Sequence, residues 1–417
     1  MVMGADSNSF YELRLKTGKS LEEISEILGV SDRTVRRWEN GDTEPKKMVM
    51  EFLNNMAQAN IKKKYKHCKP FFRFIDLFAG IGGIRIPFEE IGGDCVFTSE
   101  WNKFSQKTYA ANFGEVPDGD ITKIAAKDIP EHDVLLAGFP CQAFSQAGLK
   151  QGFLDTRGTM FFEIQRILAH HRPKAFVLEN VKQLQGHNKG QTLNTILDIL
   201  QGNYDQNIPD DIPMSEESRE SLSVNLNYWV DFKVLRAADF GVPQNRERVF
   251  IVGINKDYYP DADFEQIFQW PSSSNIDTSL GNILFDNKEV DDKYTISDRL
   301  WSGHQRRKRE HKIKGNGFGY SLFNTDSPYA NTISARYYKD GSEILIDQSD
   351  LGKNPRKLTP RECARLQGFP EDFIIDCVSD AQAYRQFGNS VAVPVVRAVA
   401  QSLTSALKNA ETVDIAA

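Results

Sequence analysis

From Phe71 onward, short apolar runs alternate with amphipathic stretches. FRFIDLF (72–78), DCVFTSE (94–100), DVLLAGF (133–139), KAFVLEN (174–180) and ERVFIVG (247–253) each have the length and β-branched or aromatic content of a buried strand. Between them lie helical patterns such as GTMFFEIQRILAHH (158–171). Strands alternating with helices predict βαβ units and a mostly parallel sheet, so the expected class is α/β. Thr359–Leu407 returns to helical periodicity, whereas 269–355 is irregular and rich in Gly, Ser, Asn and Tyr. No internal repeat is visible.

The first sixty residues follow another rule. Ser20, with Glu23 three positions later, opens an amphipathic helix with a capping box. Gly29-Val30-Ser31 reads as a tight turn, and 32–40 (DRTVRRWEN) as a second helix bearing Arg33, Arg36 and Arg37. Leu21, Ile24, Leu28, Val35 and Trp38 supply a small core. Two short helices about a tight turn, the second one basic, read as a helix-turn-helix whose three arginines meet DNA. The expected division is a helix-turn-helix domain over 1–60, a basic linker over 61–70, a catalytic domain over 71–268, a smaller domain over 269–375, and a segment over 376–417 that returns to the catalytic domain. The polar stretch Asn203–Asn227 reads as a surface insertion.

Bulk properties narrow the class. With 417 residues there is chain for two or three domains. No eighteen-residue uncharged apolar run and no apolar signal core is present, which argues against a membrane role and for the cytoplasm. Five scattered cysteines without a CxxC pair argue against a disulfide framework and against a metal site, and leave thiols free for chemistry. The net charge of −6 speaks weakly against nucleic acid. Two basic runs, Lys62–Arg73 and Arg306–Lys314, are local exceptions that suit DNA or simply water.

Candidate chemistry gathers at the strand ends. After the first strand, Ala79-Gly80-Ile81-Gly82-Gly83 forms a glycine loop that lets a ligand approach the backbone, or else a plain turn. No Lys-Ser/Thr pair follows it, so it is no phosphate-cradling loop of the Walker type. Glu100 ends the next strand and suits a ribose diol; Asp120, in DGDIT, suits an adenine amino group. The following strand ends in Pro140-Cys141-Gln142, ahead of a long Gly-rich loop able to close over a substrate. The next ends in Glu179-Asn180-Val181, and another begins at Gln244-Asn245-Arg246-Glu247-Arg248. A thiol, a carboxyl and two guanidiniums at one sheet edge suit a nucleophilic attack on a ring. A thiolate adding to one carbon of a conjugated nitrogen heterocycle turns the neighbouring carbon into a nucleophile, and a carboxyl sharing a proton with a ring nitrogen stabilises the charge. Arginine beside the carbonyl oxygen offsets charge.

In these positions the chain resembles the DNA cytosine-5 methyltransferases of bacterial restriction–modification systems. The matches are FIDLFAGIGG (74–83), Glu100-Trp101, GDIT (119–122), GFPCQAFS (138–145), DTRGTMFFEI (155–164), LENV (178–181), QNRERVFIVG (244–253), RKLTPRECARLQGFP (356–370) and YRQFGNSVAVPV (384–395), in the family's order. The resemblance implies an S-adenosylmethionine-dependent, Rossmann-like methyltransferase fold with Cys141 as nucleophile, Glu179 at nitrogen 3, and Arg246 and Arg248 in support. Phe78, Ile81, Gly83, Glu100, Trp101, Asp120, Ile121, Pro140, Met160, Asn389 and Val391 fall where the family contacts S-adenosylmethionine. Gln142 and Ser145 fall where it meets DNA.

The family's variable target-recognition region falls here at about 256–355. Within it, GNGFGY (315–320) and TISARYYKDGSEILID (332–347) are similar to the subgroup that modifies CCWGG or CCNGG. Arg336, Tyr337 and Lys339 are of the types that read guanine edges and pack on DNA, on what the pattern predicts as a two-stranded hairpin. The N-terminal piece resembles the Cro/repressor type. The implied partners are duplex target DNA, met by a monomer, and operator DNA, met by a dimer. Two rival readings are a catalytically silent DNA-binding regulator and a family member acting on transfer RNA. The intact Cys141, Glu179 and glycine loop oppose the first; the bacterial-type target region and the helix-turn-helix oppose the second.

Overall fold

In the computed structural model the described residues are 9–64, 70–139, 160–204, 214–274, 276–317 and 319–416. The four N-terminal helices are α1 (Ser9–Lys16), α2 (Leu21–Leu28), α3 (Asp32–Glu39) and α4 (Lys47–Lys64). The expected capping box forms: the Ser20 side chain accepts from the Glu23 backbone N–H while Glu23 returns a bond to the Ser20 N–H; Gly29 ends α2 in left-handed backbone at the expected turn. Phe10, Ile24, Val35 and Leu53 are buried, with Leu21, Leu28 and Trp38 packed around them. The helix α4 runs through residues 61–64, so the stretch read as a linker begins as helix.

The strands β1 (Phe72–Leu77), β2 (Gly93–Ser99), β3 (Val134–Gly138), β4 (Ala175–Val181), β5 (Tyr228–Arg236) and β7 (Glu247–Asn255) form one sheet in the order β2-β1-β3-β4-β7-β5. The β1–β2, β1–β3 and β3–β4 pairs are parallel; β7 runs antiparallel to β4 and to β5. The edge strand β5 escaped the sequence pattern because it is only half buried. It alternates Val230 and Phe232 with Asp231 and Lys233, as antiparallel strands do when one face meets water.

Helices cover both faces. On one, α7 (Met160–His171) and α8 (Gln191–Gln201) bury Phe161, Ile164, Ile196 and Leu200 against Leu135 and Leu178. On the other, α5 (Arg85–Glu90) and α15 (Val393–Ala416) bury Phe88, Val396, Val399 and Leu403 against Phe74, Val134 and Val252. Each such side chain contributes ~1.5–3 kcal/mol on burial. One helical stretch, 380–412, is long and apolar enough to cross a membrane, and 61% of its apolar window is buried in this fold. Between these helices lie α6 (Lys103–Phe113), α9 (Glu216–Ser221) and α10 (Phe264–Ile267). The insertion is partly structural: Glu217 of α9 receives Arg166 of α7 and the Ala126 N–H, and Ser218 donates to Glu163.

The irregular region holds the sixteen-residue helix α11 (Asp298–Ile313), which carries most of the second basic run. It also holds three two-residue strands, β8 (Leu322–Phe323), β9 (Ala330–Asn331) and β10 (Leu345–Ile346). Here β10 pairs in parallel with β8, and β9 with β6 (Gln244–Asn245). The expected hairpin over 332–347 does not form. Residues Tyr337–Asp340 make the single-turn helix α12, closed by left-handed Gly341. A hairpin would leave the Tyr337 ring in solvent, whereas the helical turn buries it against Tyr384 at 5.2 Å between ring centroids. The last helices before α15 are α13 (Pro360–Leu366) and α14 (Asp380–Asn389). Ile333, Tyr337, Leu358, Phe373 and Tyr384 share one core with Ala79, Ile81 and Tyr109, so the irregular region is anchored directly under the glycine loop.

Candidate active site

The parallel strands β1 to β4 end along one sheet edge, where open α/β sheets take ligands. Leu77 ends β1, and Phe78 turns into left-handed backbone (φ 54°), a strain that non-glycine residues tolerate at functional turns. Gly82 is also left-handed, and a Cβ there would lie 2.2 Å from the Phe113 ring. A Cβ at Gly83 would lie 2.8 Å from Ser390 Oγ and 3.0 Å from Val391, so only glycine admits the returning C-terminal segment this closely. Asn389 is exposed and Val391 buried at the turn between α14 and α15, which places the far end of the chain against this loop as the motifs imply.

Glu100 closes the loop from β2. Its carboxylate accepts from the Gly80 N–H at 2.9 Å and the Asn102 N–H at 2.6 Å. Burial raises its pKa, and those backbone N–H groups pull the other way. Trp101 beside it is 76% exposed, a large apolar surface free to cover a ligand. Asp120 is half buried and caps the turn 121–123, accepting from the Thr122 N–H and hydroxyl. Ile121 is buried, and its carbonyl accepts from Arg166. Met160 opens α7, half buried. A shallow concavity bounded by Asn102, Ser105, Arg336 and Asn389 adjoins the start of α6. Left-handed backbone, a carboxylate fixed by backbone donors and an exposed indole fit a ligand with a ribose diol and a flat base.

The catalytic groups predicted at the neighbouring strand ends divide into two sets. Gly138 of β3 pairs with Glu179 of β4, and a Cβ on Gly138 would come within 3.5 Å of Glu179 Oε2. Arg248 enters β7 opposite Val181, so its side chain shares a face with Glu179 and lies 3.2 Å from Oε1. Burial pushes the Glu179 carboxyl up from the usual carboxylate range, and Arg248, then Arg246, oppose this. Arg246 does something else. It is buried and donates to the carbonyls of Ile333 and Gly388, at 3.2 and 3.3 Å, and of Ser390. It therefore ties the β7 entry to the irregular region and to the C-terminal segment. Pro140, Cys141, Gln142 and Ser145 lie outside the described residues.

Sequence reasoning missed Asn180. Its Nδ2 donates to the Phe139 carbonyl at 3.4 Å while its Oδ1 accepts from the Val181 N–H, pinning the chain just before Cys141. The signal was there in LENV, a buried amide between two strand ends. Also missed was the fully buried Arg356–Glu362 pair at 2.8 Å, in which Glu362 closes a capping box with Thr359. Among the expected DNA readers, Arg336 and Lys339 are exposed, as are Arg33, Arg36 and Arg37 on α3. Tyr337 is a correction: it is fully buried, its hydroxyl donating to the Ile344 carbonyl and accepting from the Leu358 N–H.

A sheet of this order, with a glycine loop closed by a buried carboxylate and a carboxyl–guanidinium pair two strands away, defines a Rossmann-like S-adenosylmethionine-dependent methyltransferase. Residues 72–205 and 220–405 match the model of the C-5 cytosine-specific DNA methylases, and the chain belongs to that family. Residues 10–54 match a helix-turn-helix family. The chain is 52% identical to the type II methyltransferase M.SsoII of Shigella sonnei, over 95% of this chain and 97% of that one. It is likewise 52% identical to M1.ScrFI of Lactococcus lactis subsp. cremoris, over 96% and 95%. The structure of the Entamoeba histolytica methyltransferase EhMeth shares the fold, with a TM-score of 0.63 at 21% identity over 81% of this chain and 99% of that one. The protein is thus a DNA cytosine-5 methyltransferase enzyme with an N-terminal DNA-binding domain. Its family implies S-adenosylmethionine as methyl donor and DNA as substrate.

Proposed function

We propose that this enzyme methylates carbon 5 of the inner cytosine in CCWGG or CCNGG duplex sites, through a covalent bond between Cys141 and carbon 6. The observation that carries the mechanism is the buried Glu179 carboxyl, held by Arg248 opposite Gly138. Cys141 follows Gly138 by three residues, a reach of at most about 11 Å. The Cys141 thiolate adds to carbon 6 of a flipped-out cytosine, and Glu179, whose pKa burial raises, gives a proton to nitrogen 3. Carbon 5 becomes nucleophilic. S-adenosylmethionine, when bound, supplies the methyl group and leaves as S-adenosylhomocysteine. A base then takes the carbon 5 proton, the Cys141 thiolate is expelled, and nitrogen 3 returns its proton to Glu179, which restores the ring. Arg248 orients Glu179 and offsets charge at the ring carbonyl; Arg246 positions both through its carbonyl contacts.

The residues Phe78, Ile81, Gly83, Glu100, Trp101, Asp120, Ile121, Pro140, Met160, Asn389 and Val391 would hold the methyl donor. Arg336 and Lys339 read the target from the 269–375 domain, with Gln142 and Ser145 at the flipped base. The target site is met by a monomer, in the bacterial cytoplasm at the nucleoid, and its methylation guards host DNA against a cognate nuclease. The helix-turn-helix represses the enzyme's own gene as a dimer. Duplex carrying 5-fluorocytosine at the target tests the core of this reading, because carbon 5 then has no proton to lose. The expected result is a stable protein–DNA adduct with the native chain and none with Cys141→Ala; an adduct or methyl transfer with the variant refutes it.

A further inference from the structure

The helix α11 has two faces with different tasks. At 100° per residue, Trp301, His304, Arg307 and Lys308 fall on one side. These are the residues that hold it to the body: Trp301 packs on Tyr320, His304 and Arg307 reach Asp340 of α12, and Lys308 donates to the Tyr320 carbonyl. The opposite side carries Arg299, Ser302, Arg306, Arg309 and Ile313, with Lys312 at its edge, all exposed, Ile313 by 86%. From Gln305 to Lys314 the helix buries no apolar side chain, yet 306–314 holds six Lys and Arg against the single acid Glu310. Neighbouring like charges on a helix repel, and Glu310 offsets only Arg306, at 3.7 Å. In a chain of net charge −6, such a helix is shaped for an extended anion.

We infer that the outer face of α11 grips the phosphate backbone of duplex DNA flanking the target site, without reading sequence. The placement supports this. The helix is bonded to α12, which follows directly on Arg336, and Ser334 and Ala335 pack against Gly388 beside the proposed donor site. A helix of sixteen residues is about 24 Å long, the span of about seven base pairs. The grip is therefore with DNA beyond the site itself. It holds the enzyme on the duplex while the 269–375 domain searches for its sequence.

The inference rests on the reading of the chain as acting on a specific duplex site, and the test separates the two. Two duplexes without operator sequence carry the same target; one ends close to it and the other extends about ten base pairs on each side. Affinity and methyl transfer are measured on both over a range of salt, with the native full chain, with R306Q/R309Q/K312Q and with Glu310→Gln. The native chain is expected to bind the long duplex on the order of tenfold more tightly than the short one, with a steeper salt dependence. The triple variant should lose that advantage, its log–log salt slope on the long duplex falling by about 2–3, while its methyl transfer to the short duplex stays native. Glu310→Gln should tighten binding to the long duplex only, a gain that misfolding cannot produce. Native affinity and slope of the triple variant on the long duplex would overturn the inference. So would equal weakening on both duplexes, which would put these residues at the target itself, or no response to Glu310→Gln. If the native chain methylates neither duplex, the target-site reading fails and the inference with it.

Discussion

Gly388 and Ala335 are in backbone contact: a Cβ on Gly388 would lie 2.3 Å from the Ala335 nitrogen. Gly388 sits in the last turn of α14, beside Asn389, and Ala335 precedes the exposed Arg336. The segment proposed to read the target thus rests directly on the helix end proposed to hold the methyl donor. Arg246 locks the same junction by donating to the Ile333 and Gly388 carbonyls.

Gly388→Ala therefore acts at a distance from the chemistry. The added methyl group must push 334–335 away, because backbone rather than a flexible side chain blocks it. Overpacking of this kind costs ~1–3 kcal/mol. The expected outcome is a lower Tm and a KM for target duplex raised by roughly tenfold. Thermal melts and methyl-transfer kinetics on a single-site duplex measure both.

Glu179→Gln keeps the shape of the side chain and a hydrogen-bond donor but removes the proton it can give. The rate constant for methyl transfer should fall by ~10²–10⁴-fold while binding of target duplex persists. The sign of the pH effect follows from burial, which raises the Glu179 pKa and extends the protonated form to higher pH. Thiolate formation at Cys141 favours high pH, so an alkaline fall in rate belongs to Glu179. That fall should be absent from the pH–rate profile of the variant.

Much of this arrangement was legible beforehand, and what was not had a physical reason. The buried strands announced themselves as apolar runs, and the Ser20 capping box of α2 forms as read. The edge strand β5 did not, since half of it faces water. Tyr337 looked like a DNA reader because a polar hydroxyl flanked by Arg336 and Tyr338 suggests a surface. Its burial depends on Ile344, Leu358 and Tyr384, which no local pattern brings together. The basic run 306–314 looked like loop or solvated surface, because an exposed helix end with no apolar stripe has no periodic signature. Arg246 and Arg248 are adjacent in type and motif, yet one braces backbone and the other meets Glu179.

Asp76 offers a stability test independent of catalysis. It lies fully buried in β1, and neither carboxylate oxygen has a hydrogen-bond partner among the described residues. Burial pushes its pKa up to about 8, with Arg85 opposing and Glu100 and Glu89 adding to the rise. A carboxyl whose folded pKa is raised contributes its full stability below the unfolded pKa of 3.8 and loses it as pH rises toward 8. The native chain should therefore lose Tm between about pH 4 and pH 8 relative to Asp76→Asn, which stays neutral throughout. Thermal melts of both proteins across that window check it.

The last prediction concerns the N-terminal helices. With the region 269–375 proposed to read the target, a second DNA-reading unit is proposed to serve another site. On α3, Val35 is buried in the small core while Arg33, Arg36 and Arg37 stay exposed, the disposition a recognition helix needs. The unit is not a free appendage: the Tyr11 hydroxyl donates to the Asp376 carbonyl at 3.2 Å, and the Lys107 ammonium of α6 lies 5.0 Å from the Tyr11 ring. Deleting 1–60 would therefore strip a packed surface from Ala111 and Cys377 as well as remove the arginines. Substituting the arginines alone is the cleaner experiment. Arg36→Ala with Arg37→Ala should abolish footprinting upstream of the gene, raise its expression, and lower the salt slope of operator binding by about 2 per subunit. Methylation of target duplex should remain at the native rate, since neither residue touches the sheet edge. A double variant that still protected the promoter at native concentrations would refute autogenous repression through α3, whatever its effect on methyl transfer.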